Sequence, residues 1–194
     1  MNKKFIVLAV ALGLLSAGLG VYFASRQVVP VNTAVNASPA APASAATTPE
    51  GKAVAQLMAQ QLKDSDGKVQ AMSQWQGKLL VVNFWATWCG PCVQEMPELS
   101  ALQTEFKGKA VQILGMGIDS PGNIADFAKK YQISYPLFVA GMEGSELSRQ
   151  LGNQQGGLPF TLLISADGKL LKNYLGRLKM EELRADITKF SLEK

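Results

Sequence analysis

The sequence contains no histidine and only two cysteines, Cys89 and Cys92, in 194 residues. Without imidazole or a second cysteine pair, the chain cannot supply the four ligands of an ordinary structural zinc site. We therefore expect no metal, and no other cofactor is indicated. Two cysteines also cannot form the several disulfide bonds that stabilise small secreted domains. These absences exclude the metal-stabilised and disulfide-rich classes of small domain.

A basic surface is also lacking, although the formal net charge is +4. Lys3, Lys4 and Arg26 account for most of the excess, and the rest of the chain holds 16 basic and 15 acidic residues. A nucleic-acid-binding domain would carry a basic patch on its folded part. We therefore expect no nucleic-acid partner.

Charge is absent from residues 5–24, an apolar run of 20 residues. As a helix this run would be ~30 Å long, about the thickness of the hydrocarbon core of a bilayer. This length predicts a transmembrane anchor over residues 1–25. Lys3 and Lys4 precede the run, so the positive-inside rule keeps the short N-terminus in the cytoplasm and places the remainder on the outer face of the membrane. The alternative is a cleaved signal peptide, since residues 16–18 are small, which would leave the domain soluble in the periplasm.

Residues 26–51 contain no aromatic residue and are rich in Ala, Pro and Ser. This composition cannot bury a core, so we interpret the segment as a linker. Residues 52–194 then form the folded domain.

The domain alternates between strand-like and helix-like apolar patterns. Leu79–Trp85 is almost entirely apolar, as expected for a central strand that is covered on both faces. The other predicted strands are 111–118, 161–164 and 169–175. The predicted helices are 91–106, 124–131, 145–151 and 180–190. This order predicts an α/β fold in which a mixed central sheet is flanked by helices.

The motif Trp88-Cys89-Gly90-Pro91-Cys92 lies between the predicted central strand and a predicted helix. The reactive species in disulfide exchange is the thiolate, and free N–H groups at a helix N-terminus lower a thiol pKa. Pro91 suits the first helical turn. The spacing lets Cys92 reach Cys89, so we expect Cys89 to attack a substrate and Cys92 to release it. The alternatives are a static disulfide bond or two core cysteines without chemistry.

Two polar residues near this motif are further candidates. Glu95 lies three residues after Cys92 on the same side of the predicted helix, where it could accept a proton from the dithiol or tune its pKa. An ordinary acidic residue near a helix N-terminus is the alternative. Asn83 interrupts the apolar strand and must find hydrogen-bond partners, and we interpret it as structural.

The segment VVNFWATWCGPCVQEMPEL resembles the active-site region of the TlpA/ResA branch of thioredoxin-like proteins, which are membrane-anchored bacterial thiol–disulfide oxidoreductases. The resemblance extends over about residues 61–190 and implies a thioredoxin-like fold. It also implies that Cys89 and Cys92 are catalytic and that Glu95 is the active-site carboxylate. Pro97 corresponds to a helix-kinking proline, and Pro159 to a cis-proline that exposes the Leu158 backbone to substrates.

The resemblance also implies a function. Gly-Pro between the cysteines is typical of reducing thioredoxins, which implies a reductant of exported disulfides that receives electrons from a DsbD- or CcdA-type membrane donor. Cytochrome c or oxidase maturation is the implied setting. An oxidant or isomerase, a peroxiredoxin suggested only by Thr87, and a redox-dependent chaperone module remain alternatives. A surface around Trp88, Leu158 and Phe160 is a candidate for selecting partners.

Overall fold

The computed structural model describes residues 48–192. The predicted membrane anchor, residues 1–25, and the predicted linker up to residue 47 lie outside the described residues. Within residues 48–192, no helix is both long and apolar enough to cross a membrane.

The described chain contains five α-helices, one short 3₁₀ helix (Met72–Trp75) and seven strands. The helices are α1 (Pro49–Met58), α2 (Gly90–Glu105), α3 (Pro121–Tyr131), α4 (Gly141–Gln150) and α5 (Met180–Leu192). The strands are β1 (Gln61–Lys63), β2 (Val69–Ala71), β3 (Leu79–Trp85), β4 (Val111–Gly117), β5 (Leu137–Val139), β6 (Phe160–Ile164) and β7 (Leu170–Leu175).

Five strands form the central sheet in the order β5-β4-β3-β6-β7. Strands β3, β4 and β5 are parallel, whereas β6 is antiparallel to β3 and β7 is antiparallel to β6. The predicted mixed sheet is thus confirmed. The carboxyl ends of β3, β4 and β5 share one edge of the sheet, and β6 begins at that same edge.

The central strand β3 has helices on both faces. All seven of its residues are buried, which confirms the prediction from the apolar run. Val81 and Trp85 pack with α2, α3 and α5 on one face, and Val82 and Phe84 pack with α1 and α4 on the other. Asn83 therefore faces the α2 side, because side chains alternate along a strand.

The sequence patterns missed the shortest elements and the first helix. Helix α1 begins at Pro49, and the Thr48 hydroxyl caps it by accepting a hydrogen bond from the Gly51 N–H at 3.0 Å. The predicted boundary between residues 51 and 52 therefore falls inside a helix. Strands β1, β2 and β5 have three residues each, too few to show a period.

Candidate active site at the start of helix α2

The two cysteines lie where β3 gives way to α2, at the carboxyl edge of the parallel strands. They are joined by a disulfide bond. Cys89 is the N-cap of α2, and its Sγ accepts a hydrogen bond from the Cys92 N–H at 3.3 Å. That N–H is one of the free donors of the first helical turn. A thiolate at the same position would receive this donor and the positive end of the helix dipole, which lowers its pKa.

The residues around the cysteines differ sharply in exposure. Cys89 retains 6% exposure and Cys92 none, the order expected from their positions in the motif. Trp88 beside them is 71% exposed and so can meet a partner. Pro91 lies in the first turn of α2, as predicted. A side chain at Gly90 would meet no atom within 4 Å, so packing does not require glycine there.

Pro159 immediately precedes β6, and the peptide bond between Leu158 and Pro159 is cis. Leu158 is half-buried, whereas Phe160 is only 2% exposed and packs against Phe84 with ring centroids 6.2 Å apart. The prediction that Phe160 belongs to a partner-selecting surface was therefore wrong. Its side chain points into the face of the sheet that α1 and α4 cover.

Glu95 is fully buried, although it is a carboxylic acid in the second turn of α2. Its Oε1 accepts a hydrogen bond from the Asn83 amide at 2.8 Å, and its Oε2 accepts one from the Leu178 N–H at 2.9 Å. Burial raises the pKa of Glu95 from 4.5 to about 7, although both hydrogen bonds and the nearby Arg177 oppose this rise. The carboxyl group is thus poised to gain or lose a proton near neutral pH.

Asn83 connects this carboxyl group to the cis-proline strand. Its amide nitrogen donates both to Glu95 and to the Thr161 hydroxyl, at 2.9 Å. Thr161 is fully buried and lies two residues after Pro159. The amide nitrogen of Asn83 is thus fully paired, and through it Asn83 orients Glu95. Sequence reasoning missed Thr161 and Leu178, because nothing local marks a hydroxyl or a backbone N–H that reaches Glu95 from distant segments.

Three polar side-chain atoms of the described chain are buried without partners on the α2 side of the sheet. Among the described residues, the buried side-chain atoms without a hydrogen-bond partner are Asn83 Oδ1, Trp85 Nε1 and the Tyr135 hydroxyl. Burial first, and then the negative charge of Glu95, raise the pKa of Tyr135. Thr87, the residue that suggested a peroxiredoxin, donates its hydroxyl to Asp119 beside α3.

Comparison with known proteins identifies the family. The Redoxin family profile matches residues 37–188. The chain belongs to the Redoxin family. A curated relative of this redoxin, the thiol-disulfide oxidoreductase ResA of Bacillus thuringiensis subsp. konkukian (strain 97-27), is 33% identical over 129 residues. The match covers 66% of this chain and 72% of the relative.

Solved structures show the same fold. A thiol:disulfide interchange protein of the thioredoxin family from Chlorobium tepidum TLS matches with a TM-score of 0.58 and 26% identity, covering 66% of this redoxin and 90% of that chain. Peroxiredoxin Q from Xanthomonas campestris matches with a TM-score of 0.59 and 22% identity, covering 71% and 94%, and this likeness concerns the fold alone. The expected resemblance is thus confirmed: the chain is a ResA/TlpA-like protein-disulfide oxidoreductase with a thioredoxin-like fold.

Proposed function

We propose that this redoxin reduces specific disulfide bonds of exported proteins, with Cys89 as the attacking thiol and Cys92 as the resolving thiol. The observation that carries the proposal is the hydrogen bond from the Cys92 N–H to Cys89 Sγ at the N-terminus of α2. It marks Cys89 as the sulfur whose negative charge the helix stabilises. Cys92 is the enclosed partner, beyond the direct reach of a large substrate.

In the first step the Cys89 thiolate attacks one sulfur of the substrate disulfide. A bond forms between Cys89 Sγ and that sulfur while the substrate S–S bond breaks, and the departing thiolate takes a proton from water. The product is a mixed disulfide between Cys89 and the substrate, so the number of disulfide bonds is unchanged at this stage.

In the second step Cys92 loses its proton and attacks Cys89 Sγ. The Cys89–Cys92 disulfide forms and the mixed disulfide breaks. The substrate leaves with two electrons gained, and its second sulfur departs as a thiolate that takes a proton from water. Glu95 is three residues from Cys92 on the same helix face, and both side chains are fully buried. A carboxyl group with a pKa of about 7 is suited to accept the Cys92 proton.

The oxidised pair must then be reduced again. A DsbD- or CcdA-type membrane protein is the proposed electron donor, and cytochrome c or oxidase maturation is the proposed setting. Support comes from the similarity to ResA and from the Gly90-Pro91 dipeptide between the cysteines.

The reduction potential of the Cys89–Cys92 pair tests the direction of this reaction. For a reductant we expect a value near or below the ~−270 mV of thioredoxin. The measurement equilibrates the full-length protein, in detergent, with defined ratios of reduced and oxidised thiol buffer, and quantifies free thiols by alkylation. The Cys89→Ser variant supplies the baseline for incomplete alkylation. A value near the ~−120 mV of strong periplasmic oxidants would show that the protein forms disulfides instead.

We also propose that residues 1–25 anchor the domain to the outer face of the inner membrane. The proposal rests on the 20-residue apolar run and on Lys3 and Lys4 before it. We expect the chain to stay in the membrane fraction after alkaline carbonate washing, and its reduced cysteines to react with a membrane-impermeant maleimide in spheroplasts. The double Cys89→Ser, Cys92→Ser variant controls for nonspecific labelling. Release of a shortened chain into the periplasmic fraction would instead indicate a cleaved signal peptide.

A further inference from the structure

The segment of residues 176–178, between β7 and α5, contacts both sides of the active site. At one end the Gly176 N–H donates to the carbonyl of the cis-proline, Pro159, at 2.9 Å. At the other end the Leu178 N–H donates to Glu95 Oε2 at 2.9 Å. Gly176 has a φ of +84°, a conformation that favours glycine. The segment is therefore built to present two backbone donors to two different parts of the site.

Arg177 lies between these two donors in the chain, and its side chain extends to the protein surface. Its Nη2 is 2.8 Å from Oε1 of Glu98, which lies three residues after Glu95 on α2. The two side chains are 51% and 43% exposed. An ion pair this exposed contributes little to stability. Its geometric effect is larger, because it ties the peptide unit that carries the Leu178 N–H to the helix that carries Glu95.

We propose that Arg177 is a positioning residue of the active site: by holding Glu98, it keeps the Leu178 N–H on the Glu95 carboxylate and so sets how readily Glu95 takes up a proton. This inference rests on the proposed role of Glu95 in proton transfer. Among the described residues, Arg177 makes no hydrogen bond or ion pair with the cysteines or with Glu95.

A direct electrostatic effect of the same pair predicts a different pattern. The charge of Arg177 by itself lowers the pKa of Glu95, and the charge of Glu98 raises it. If only these charges mattered, removing Arg177 would raise the pKa of Glu95 and removing Glu98 would lower it. The Leu178 N–H stabilises the Glu95 carboxylate. If the Arg177–Glu98 pair positions this N–H, removing either partner weakens that hydrogen bond. Both substitutions then raise the pKa.

The sign of the shift after substitution of Glu98 therefore decides between the two. The groups that could otherwise shift the titration of Glu95 are Arg177, Glu98, the buried Tyr135 and the two cysteines when reduced. Oxidised protein removes the cysteines from the titration, since a disulfide does not ionise. Tyr135 stays neutral throughout the titration because its pKa is raised above its ordinary alkaline value.

The experiment follows the side-chain carboxyl ¹³C signal of Glu95 against pH in oxidised, full-length protein. We expect upward shifts of the pKa in both Arg177→Met and Glu98→Met, and a value close to the wild type in Arg177→Lys, which keeps an ion pair with Glu98. Amide hydrogen exchange of Leu178 should become faster in the two methionine variants only. A matched control is Arg184→Met, which breaks another exposed ion pair to α2, the 3.0 Å contact between Arg184 of α5 and Glu105.

An unchanged or lowered pKa in Glu98→Met, or unchanged exchange of the Leu178 amide in either methionine variant, would overturn the proposal. A comparable shift in Arg184→Met would also overturn it, because the loss of any exposed ion pair to α2 would then have the same effect. Neither readout depends on catalysis. The positioning role can therefore fail while the reductase function holds, and the reverse is equally observable.

Discussion

Replacing Cys89 with serine should reduce the rate of disulfide exchange by at least ~10³-fold, to the background of the buffer. A serine hydroxyl has a far higher pKa than a thiol and forms no disulfide bond, so the first step cannot occur. The rate is measured with a fluorescence-quenched disulfide peptide under single-turnover conditions, starting from fully reduced protein.

Cys92→Ser is the matched variant, because it lacks the same disulfide bond and any loss of stability is shared. It retains Cys89, so we expect it to attack the peptide and then stop at a covalent mixed disulfide, visible by mass spectrometry. Accumulation of that adduct on Cys92 in the Cys89→Ser variant, with little in Cys92→Ser, would exchange the two proposed roles.

Replacing Glu95 with glutamine should change both the pH dependence of stability and the release step. In the wild type the folded-state pKa is raised from 4.5 to about 7, so the folded state holds its proton more tightly than the unfolded state. The stabilisation is complete below about pH 4.5 and is lost as the pH rises through 7. The total change is about 3 kcal/mol in the free energy of unfolding.

In Glu95→Gln this loss between pH 4.5 and 7 should disappear, because the amide does not titrate. The fold should tolerate the amide, since Asn83 can rotate its own amide and present the unpartnered Oδ1 to the new donor. Without a proton acceptor near Cys92, release of substrate from the mixed disulfide should slow by about 10²-fold near pH 7.

Urea unfolding of the oxidised protein at several pH values, together with stopped-flow release kinetics of the reduced protein, measures the two effects. Glu105→Gln is the control, since it removes an exposed carboxylate from the same helix, where Glu105 pairs with Arg184. A fall in stability from pH 4.5 to 7 that is equally steep in Glu95→Gln and the wild type would assign that pH dependence to another group.

How far the sequence predicted the fold depended on the length of each pattern. The seven-residue strand β3, apolar except for Asn83, and the long stripe of α2 were predicted within a residue or two, because a continuous apolar run and a period of 3.6 are clear over such lengths. Helix α4 was predicted from residue 145 but begins at Gly141 without a capping side chain, so no local signal marks its start. Strand β5 is too short for any period, and its place at the sheet edge depends on its pairing with β4.

The same division applies to the active site. The Trp88–Cys92 motif could be interpreted locally, because a strand, a turn and a helix N-terminus are contiguous in the chain. Burial of Phe160 could not be foreseen, since it depends on which face of β6 the neighbouring elements cover. The unpaired hydroxyl of Tyr135 and the role of Thr161 likewise become visible only once separate strands lie side by side.

The sequence by itself determined the dithiol chemistry of this protein: two cysteines at a spacing that closes a ring, placed by local pattern at the start of a helix. Only the tertiary structure decided how protons can be handled there. Asn83 and Leu178, 95 residues apart in the chain, meet at the two oxygens of Glu95. The physical reason is that a carboxyl pKa follows burial and hydrogen bonds, and both arise here from segments that only folding brings together.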